Sequence, residues 1–320
     1  MVHPLGVRKS QIVNRKFMLT PKITAVGSVG LDTIITPAGK REELLGGSVV
    51  HFAVSASFLT KVGIVGVAGD DFPKVHIDFL KKINVDVDGL ELVPNGKTFR
   101  WTGSYLEDFN SAKTHCTELN VFADFQPEIP ENYKNAPVVF LANIAPALQL
   151  HVLDQMSDSS YKICDTMNLW IDNTKDELAK VFEKVDIAIL NDGEARSFTG
   201  IDNLIKAGKK MLDFGMDYCI IKKGEHGAMA FGKNNFFAAT PAFPVEEVID
   251  PTGAGDSFAG GFVGHIAETG NHNPDTIKNA IKLGTVMGSF NVADFSCDKF
   301  RNITKEDVNA RLVEFKKMIS

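Results

Sequence analysis

One short segment carries residues whose types and spacing suit catalysis. The run VIDPTGAGDSFAGGF spans residues 248–262. The residue before a proline is disfavoured in helices, so Asp250 should end an extended piece, and Gly253, Ala254 and Gly255 should open a helix. Small residues let a ligand approach the backbone, and the first N–H groups of a helix carry a partial positive charge. The segment therefore predicts a cradle for a phosphate or an oxyanion.

Asp256 lies in the first turn of this predicted helix and adds a base to the anion site. A carboxylate can accept the proton of an attacking alcohol while backbone N–H groups hold the oxygens of a γ-phosphoryl group. The pattern thus indicates phosphoryl transfer to a hydroxyl. The alternative is that Asp256 only complements the helix dipole and that the glycines only form a tight turn.

Apolar strands alternate with helical segments along most of the chain, and they must position this turn. Residues 22–29 read as a buried strand with Asp32 at its carboxyl end, and the pair Gly46 and Gly47 opens a helical segment. From Pro137 the alternation resumes, with the strand-like segments PVVFLANI, YKICDTMN, VDIAILND and DYCIIKKG. This order predicts a mostly parallel sheet covered by helices.

Residues 97–125 have a different texture, because polar residues alternate there with large aromatic ones, as in paired antiparallel strands. We assign this segment, with residues 34–45, to a small β lid. The α/β core then comprises residues 22–33, 46–96 and 126–320. Residues 1–21 are expected to be a disordered leader outside the fold.

Composition restricts the function classes. The 320 residues carry a net charge of −6, which argues against a general nucleic-acid binder. The four cysteines form no CxxC pair, so neither a zinc site nor a disulfide framework is indicated, and we expect a cytoplasmic protein. The longest apolar run, near Val138–Leu150, is interrupted by Asn143 and Pro146 and is too short to span a membrane.

The segment DPTGAGDSFAGGF resembles the second signature of the ribokinase family, also called the PfkB carbohydrate kinases, at every constrained position. The resemblance extends from residue 22 to about residue 315 and includes the GG pair at 46–47, NDGE at 191–194 and KKGEHGA at 222–228. It implies a ribokinase-like, Rossmann-type three-layer α/β core with a mostly parallel sheet and a small β-sheet lid.

The resemblance also implies roles for particular residues. Asp256 would be the catalytic base, and residues 253–255 would form the anion hole. Asn191 and Glu194 match the family's NxxE motif, which positions Mg²⁺ and phosphate largely through water. Asparagine and carboxylate oxygens suit Mg²⁺, although a helix N-cap followed by a capping glutamate explains the same pattern.

Further residues match the nucleotide and cation positions of the family. Lys223, Gly224 and Gly227 resemble a strand-turn that borders the nucleotide, although a plain hairpin turn is an alternative. Asn279 falls where the family packs a residue against adenine. Asp250 and Thr252 match positions whose oxygens help to bind a monovalent cation such as K⁺ in some members.

The substrate side follows the family less closely. Asp32, Gly46 and Gly47 correspond to contacts with a substrate diol. The first family signature usually reads GGxGxNxA, whereas this chain reads GGSVVHFA, so His51 replaces the usual asparagine. His51 can donate to a substrate hydroxyl or be a packed helix residue.

The resulting hypothesis is an ATP- and Mg²⁺-dependent kinase that phosphorylates a primary hydroxyl of a carbohydrate. A ribonucleoside kinase is the alternative, favoured if lid rings face the cleft. A catalytically silent ligand-binding member is a third hypothesis. We expect a sugar or nucleoside as the ligand, no nucleic-acid or membrane partner, and a monomer or a homodimer formed through the lid. The rings in question are Phe99, Trp101, Tyr105, Phe109, Phe122 and Phe125.

Overall fold

A computed structural model of the chain describes residues 20–106, 109 and 112–320. The expected leader, residues 1–21, lies outside the described residues except for Thr20 and Pro21. Among the helices of the described residues, none combines the length and the apolar character needed to cross a membrane.

The strands and helices are numbered in chain order. The strands are β1 (Ile23–Val26), β2 (Gly30–Thr36), β3 (Gly39–Gly46), β4 (Val62–Gly69), β5 (Val85–Val93), β6 (Phe99–Ser104), β7 (Lys113–Glu118), β8 (Val138–Leu141), β9 (Tyr161–Asp165), β10 (Ile187–Asn191), β11 (Tyr218–Lys222), β12 (Ala228–Gly232) and β13 (Phe236–Thr240). The helices are α1 (Ser48–Ala56), α2 (Lys74–Lys82), α3 (Pro146–Gln155), α4 (Asn168–Asn173), α5 (Lys175–Phe182), α6 (Asp192–Thr199), α7 (Leu204–Met211), α8 (Ala254–Thr269), α9 (Pro274–Asn291) and α10 (Lys305–Met318).

Within the described residues the larger sheet has nine strands, in the order β13-β12-β11-β10-β9-β8-β1-β4-β5. The strands from β11 through to β5 pair in parallel, whereas β12 and β13 form an antiparallel edge. A parallel sheet is buried on both faces, which explains why β4 is buried along its whole length. The expected mostly parallel sheet is confirmed.

Helices cover both faces of this sheet and make a three-layer core. Along β10, Ile187 and Ile189 contribute to a hydrophobic cluster with α1, α2, α8, α9 and α10. The alternate residues Ala188 and Leu190 contribute to a second cluster with α3 to α7. Side chains of successive strand residues point to opposite faces, so one strand serves both layers.

A second, four-stranded sheet has the order β3-β2-β6-β7. Its first strand, β2, begins at Gly30 and includes Asp32, whereas the lid was expected to begin at residue 34. Gly30 pairs with Gly46, so the hairpin reaches further towards the core than the polar texture of residues 34–45 indicated. Asp32 therefore lies within the small sheet and not at the carboxyl end of β1.

Candidate active site

The turn that precedes α8 leaves helix N–H groups open. Gly253 has φ 74°, a left-handed conformation that favours glycine, and no side chain caps the helix. The N–H of Ala254 donates to the carbonyl oxygen of Pro251 at 3.1 Å and is therefore used within the turn. The N–H of Asp256 donates to its own carboxylate. The first N–H groups of a helix lack intrahelical acceptors, so the amide of Gly255 is the better candidate anion donor.

Buried hydrogen bonds hold the turn in place. The carboxylate of Asp250 accepts the N–H groups of Thr252 and Ser296, both at 2.8 Å. The side chain of Asn291, the last residue of α9, donates to the carbonyl oxygen of Thr252 at 2.7 Å and accepts from the Ser257 hydroxyl at 2.8 Å. Oxygens of the expected monovalent-cation pair, Asp250 and Thr252, thus already accept protein hydrogen bonds.

Asp256 has the electrostatics of a general base. Burial raises the pKa of its carboxyl to about 7, with Asp165 adding to the rise and Lys222 opposing it. A base works best when its pKa lies near the working pH, because it is then both ionised and able to hold a proton. The structure therefore has a carboxyl group with a pKa near neutrality beside an open N–H group at the helix N-terminus.

Three neighbouring parallel strands end in polar residues beside this turn. Asp165 is the last residue of β9, Asn191 of β10 and Lys222 of β11. The ammonium of Lys222 lies 2.8 Å from a carboxylate oxygen of Asp165. Sequence reasoning proposed Lys223 and missed both Lys222 and Asp165.

Asn191 and Glu194 form a complete capping box at the start of α6. The Asn191 side chain accepts the Glu194 N–H at 2.8 Å, and the Glu194 carboxylate accepts the Asn191 N–H at 2.6 Å. Burial raises the pKa of Glu194 to about 8, and the neighbouring Asp165 and Asp256 add to this. The capping explanation thus holds, and the buried carboxylate also remains available to a cation.

The residues suit Mg²⁺ held through water better than Mg²⁺ held directly. No group of three or more His, Cys, Asp or Glu side chains in the described part of the chain could hold a metal ion. Mg²⁺ usually keeps several waters and takes few protein ligands. Burial is the main cause of the elevated pKa of Glu194, and the neighbouring carboxylates of Asp165 and Asp256 add to it, so a divalent cation at this place would favour the ionised form.

The expected nucleotide residues lie further along the same edge of the sheet. The N–H of Lys223 donates to the carbonyl oxygen of Gly227 at 2.7 Å and closes the turn between β11 and β12. Gly227 has φ 84°, and a side chain there would collide with the Thr240 carbonyl at 2.0 Å. Gly224 is exposed within this turn, and Asn279 donates to the Asp275 carbonyl of its own helix at 3.0 Å. These contacts agree with the hairpin explanation and leave nucleotide binding as a prediction.

Asp32, in β2 of the small sheet, is a buried carboxylate. Its side chain is only 4% exposed, and no described residue donates a hydrogen bond to its carboxylate. Burial raises its pKa to about 7, and Asp250 raises it further. A buried carboxylate without a donor is costly, which indicates that a ligand supplies the missing hydrogen bonds.

The glycine pair makes room for this carboxylate and for the start of α1. A side chain at Gly46 would begin 2.1 Å from an Asp32 carboxylate oxygen. Gly47 has φ 100°, and a side chain there would begin 2.3 Å from the Ser28 carbonyl oxygen. Both positions therefore require glycine for steric reasons, whatever the ligand.

His51 is packed in the interior. It is 2% exposed, and its Nδ1 lies 3.4 Å from the Cys297 Sγ. A side chain at Gly253 would meet the His51 ring at 2.2 Å, so the ring covers the catalytic turn from the α1 side. Burial lowers the pKa of His51 to about 4, so the imidazole is neutral at physiological pH. The geometry favours the packed alternative over direct contact with substrate.

Tyr105 joins the small sheet to the carboxylates. Burial raises its pKa to about 12, and Asp250, Asp32 and Asp256 add to the rise, so its hydroxyl lies near all three. Most other rings of this region pack on one another: Phe99 lies 5.5 Å from Phe122, measured between ring centres, and Phe122 lies 5.8 Å from Phe125. Of the lid rings whose orientation would favour a nucleoside acceptor, Tyr105 is thus the one with an observed link to the carboxylates within the described residues.

Comparisons with known proteins identify the family of the chain. Residues 38–303 match the family described as pfkB family carbohydrate kinase. A cytidine kinase of Thermococcus kodakarensis is 32% identical over 247 residues, which cover 75% of this chain and 87% of the relative. A 5-dehydro-2-deoxygluconokinase of Clostridium perfringens is 26% identical over 318 residues, covering 89% of this chain and 90% of the relative.

The fold has a close match among solved structures. A nucleoside kinase of Methanocaldococcus jannaschii, an archaeal member of the ribokinase family, superposes with a TM-score of 0.73 at 20% identity. The alignment covers 91% of this chain and 98% of the other. The family match, which spans most of the chain, and the 32% identity to a named kinase lead to one conclusion: the chain belongs to the pfkB family of carbohydrate kinases.

Proposed function

We propose that this kinase transfers the γ-phosphoryl group of ATP to a primary hydroxyl of a neutral, sugar-containing acceptor. The observation that carries the proposal is the pairing of two buried carboxylates across the α8 turn. Asp32 lacks a hydrogen-bond donor and suits acceptor hydroxyls, while Asp256 has a pKa near 7 and suits removal of a proton. The charge of Asp32 also contributes to the raised pKa of Asp256, which supports a shared site for the two groups.

The reaction exchanges one bond for another at the γ-phosphorus. The acceptor oxygen forms a bond to this phosphorus while the bond to the oxygen that bridges to the β-phosphate breaks, and Asp256 takes the hydroxyl proton. The amide of Gly255 would hold a phosphoryl oxygen. Asn191 and Glu194 would hold Mg²⁺ through water, and the ion would neutralise phosphate charge. A potassium requirement stays a prediction.

The small sheet is proposed as a lid over the acceptor. Tyr105 interacts with the carboxylate of Asp32, which belongs to β2, and with those of Asp250 and Asp256 at the α8 turn. Closure would exclude water, which otherwise competes as the nucleophile. Assembly as a monomer or as a homodimer through this sheet remains a proposal.

A ribonucleoside is the second candidate acceptor, and an apolar surface near the glycine pair favours it. The Ser48 hydroxyl, next to Gly47, donates to the carbonyl oxygen of Asn143, whose side chain in turn accepts from the Trp170 indole at 2.8 Å. Beside Trp170, Met167 is 37% exposed and Leu169 is 48% exposed. Exposed apolar side chains at the acceptor end suit the face of a heterocyclic base. The relative named cytidine kinase supports the same candidate.

An acceptor panel tests the proposal. The wild-type protein is incubated with Mg²⁺-ATP and with cytidine, uridine, inosine, adenosine, ribose or fructose, and ADP release and product mass are measured. We expect one class to be phosphorylated and to raise the melting temperature with a non-hydrolysable ATP analogue. The Asp256→Asn variant, purified in parallel, controls for contaminating kinases. Absence of a phosphorylated product throughout the panel would contradict the proposal and revive a silent ligand-binding role.

A further inference from the structure

The polar ends of β9, β10 and β11 lie on one face of the large sheet. Asp165 is in register with Ile189, and Asn191 is in register with Lys222. Partners in neighbouring parallel strands project to the same side, and residues two apart in a strand share a face. Ile189 belongs to the cluster that packs on α8. Asp165 and Lys222 therefore point towards the helix that carries Asp256, whereas the side chain of Asn191 caps α6.

Lys222 and Asp165 form a buried ion pair within this group. The ammonium and carboxylate lie 2.8 Å apart, and their side chains are 15% and 4% exposed. Burial alone would lower the pKa of Lys222, but Asp165 and Glu194 more than offset it and raise the pKa. The lysine therefore stays protonated. A buried ion pair seldom adds net stability to a fold, so its presence beside a catalytic turn indicates function.

The ammonium reaches the catalytic turn itself. A side chain at Gly255 would begin 3.2 Å from the Lys222 Nζ, so glycine at this position admits the lysine to the open helix amides. Lys222 also lowers the pKa of Asp256, as a neighbouring cation should. The lysine thus lies where the helix N–H groups and the base converge.

We propose that Lys222 binds the γ-phosphoryl group of ATP and neutralises its charge during transfer, and that Asp165 positions the lysine. The proposal rests on the kinase function proposed above and adds one catalytic residue to it. Ammonium groups act as compact point charges that suit phosphate oxygens, and such charges lower the barrier most when they are fixed beforehand. Asp165 provides that fixation.

The test compares Lys222→Met with a matched control, Lys233→Met. The Lys233 ammonium lies 2.7 Å from the carboxylate of Asp217, which directly precedes β11 at the end opposite to Lys222. Replacing Lys233 therefore removes the same charge away from the catalytic turn. At saturating substrates we expect Lys222→Met to lower kcat by about 10²–10³-fold. The control should change kcat by less than about twofold. Melting temperatures of both variants report on folding.

A double variant separates catalysis from charge balance. Lys222→Met combined with Asp165→Asn leaves an uncharged pair of similar size. If Lys222 only neutralises Asp165, the double variant should recover most of the wild-type kcat. We expect it to remain as slow as Lys222→Met, because the phosphoryl group has lost its cation. Recovery would overturn the proposal.

Nucleotide binding gives a readout that needs no acceptor. Calorimetry with β,γ-imido-ATP and with ADP should show that Lys222→Met weakens binding of the triphosphate by about tenfold or more and of ADP by less than about threefold. Equal losses for both nucleotides, or none, would contradict the proposal even if no acceptor is found. Conversely, a failed acceptor panel with a selective loss of triphosphate binding would contradict the kinase reaction and leave the lysine assignment standing.

Discussion

Two buried carboxylates, Asp32 in the small sheet and Asp256 in the core, have the same pKa of about 7 for the same leading cause, which is burial. Their surroundings differ. Asp256 lies at a helix N-terminus with Lys222 nearby, whereas the group that perturbs Asp32 is another carboxylate, Asp250. Burial sets how readily each group binds a proton, and the neighbours decide what each can do.

The comparison separates a reacting group from a binding group. Asp256 faces the place where negative charge must accumulate, so a proton that it accepts leaves the acceptor oxygen as a nucleophile. Asp32 has no such anion site and can only accept hydrogen bonds from acceptor hydroxyls. Changes at the two positions should therefore affect different kinetic constants.

The largest effect is expected for Asp256→Asn. The amide cannot accept the hydroxyl proton, so kcat should fall by about 10²–10⁴-fold while ATP binding changes little. Steady-state kinetics with the acceptor found in the panel, together with calorimetry for the nucleotide, measure both quantities. A variant with the wild-type kcat would show that Asp256 is not the base.

The predicted and the missed residues of the site differ in how local their signals are. Asp256 and the glycine turn lie within one segment of seven residues, 250–256, and could be predicted from it. Asp165 and Lys222 meet only because β9, β10 and β11 align in parallel, and they lie 57 positions apart. Strand alternation offered one signal, since Ile220 and Lys222 must share a face. Tyr105 was one of the lid rings that the sequence offered, but nothing local distinguished it from the others. Asn291 had no local signal, because its role depends on how distant elements pack.

The fold was more predictable than the small sheet. Apolar runs bounded by turns identify buried parallel strands, and the β-α-β order restricts their arrangement. The start of β2 at Gly30 was missed because GLD follows an apolar strand directly and reads as its end. Gly30 pairs with Gly46, which lies on the other strand of the β2–β3 hairpin, so no neighbouring residue in the sequence reveals this pairing.

Asp32→Asn should affect binding of the acceptor more than turnover. Loss of a charged hydrogen-bond acceptor costs roughly 1.5–3 kcal/mol, so we expect the acceptor KM to rise about 10–100-fold and kcat to change less. The pKa of Asp32 is raised in the folded state, so its ionisation above about pH 7 disfavours folding. The variant should thus melt no lower than wild type at pH 8. A large fall in kcat at unchanged KM would contradict the division of roles.

The pH profile tests whether both carboxylates must be ionised. In the free enzyme both have pKa values of about 7, so kcat/KM should fall below this pH with a limiting slope of about two decades per pH unit. With Mg²⁺ saturating in both measurements, so that Glu194 stays ionised, the slope in Asp32→Asn should be about one, because only Asp256 remains to be protonated. A slope of one in both proteins would show that a single group controls the reaction.

The smallest effect is expected for His51→Asn, which restores the residue that the family usually has. His51 belongs to α1, which begins directly after the glycine pair beside Asp32, yet its ring covers Gly253 of the catalytic turn. It therefore links the surroundings of Asp32 with those of Asp256. The smaller amide should leave a cavity that costs roughly 1–2 kcal/mol of stability and loosens the turn.

Because the turn orients the phosphoryl group, we expect kcat of His51→Asn to fall by about 3–10-fold with little change in the acceptor KM. Thermal unfolding and steady-state kinetics measure the two effects. The matched control is His51→Gln, whose longer side chain fills more of the space beside Gly253 and should retain more of kcat. If His51 instead contacted the acceptor, the acceptor KM would change and kcat would not. That outcome would show that His51 binds the acceptor and does not support the turn.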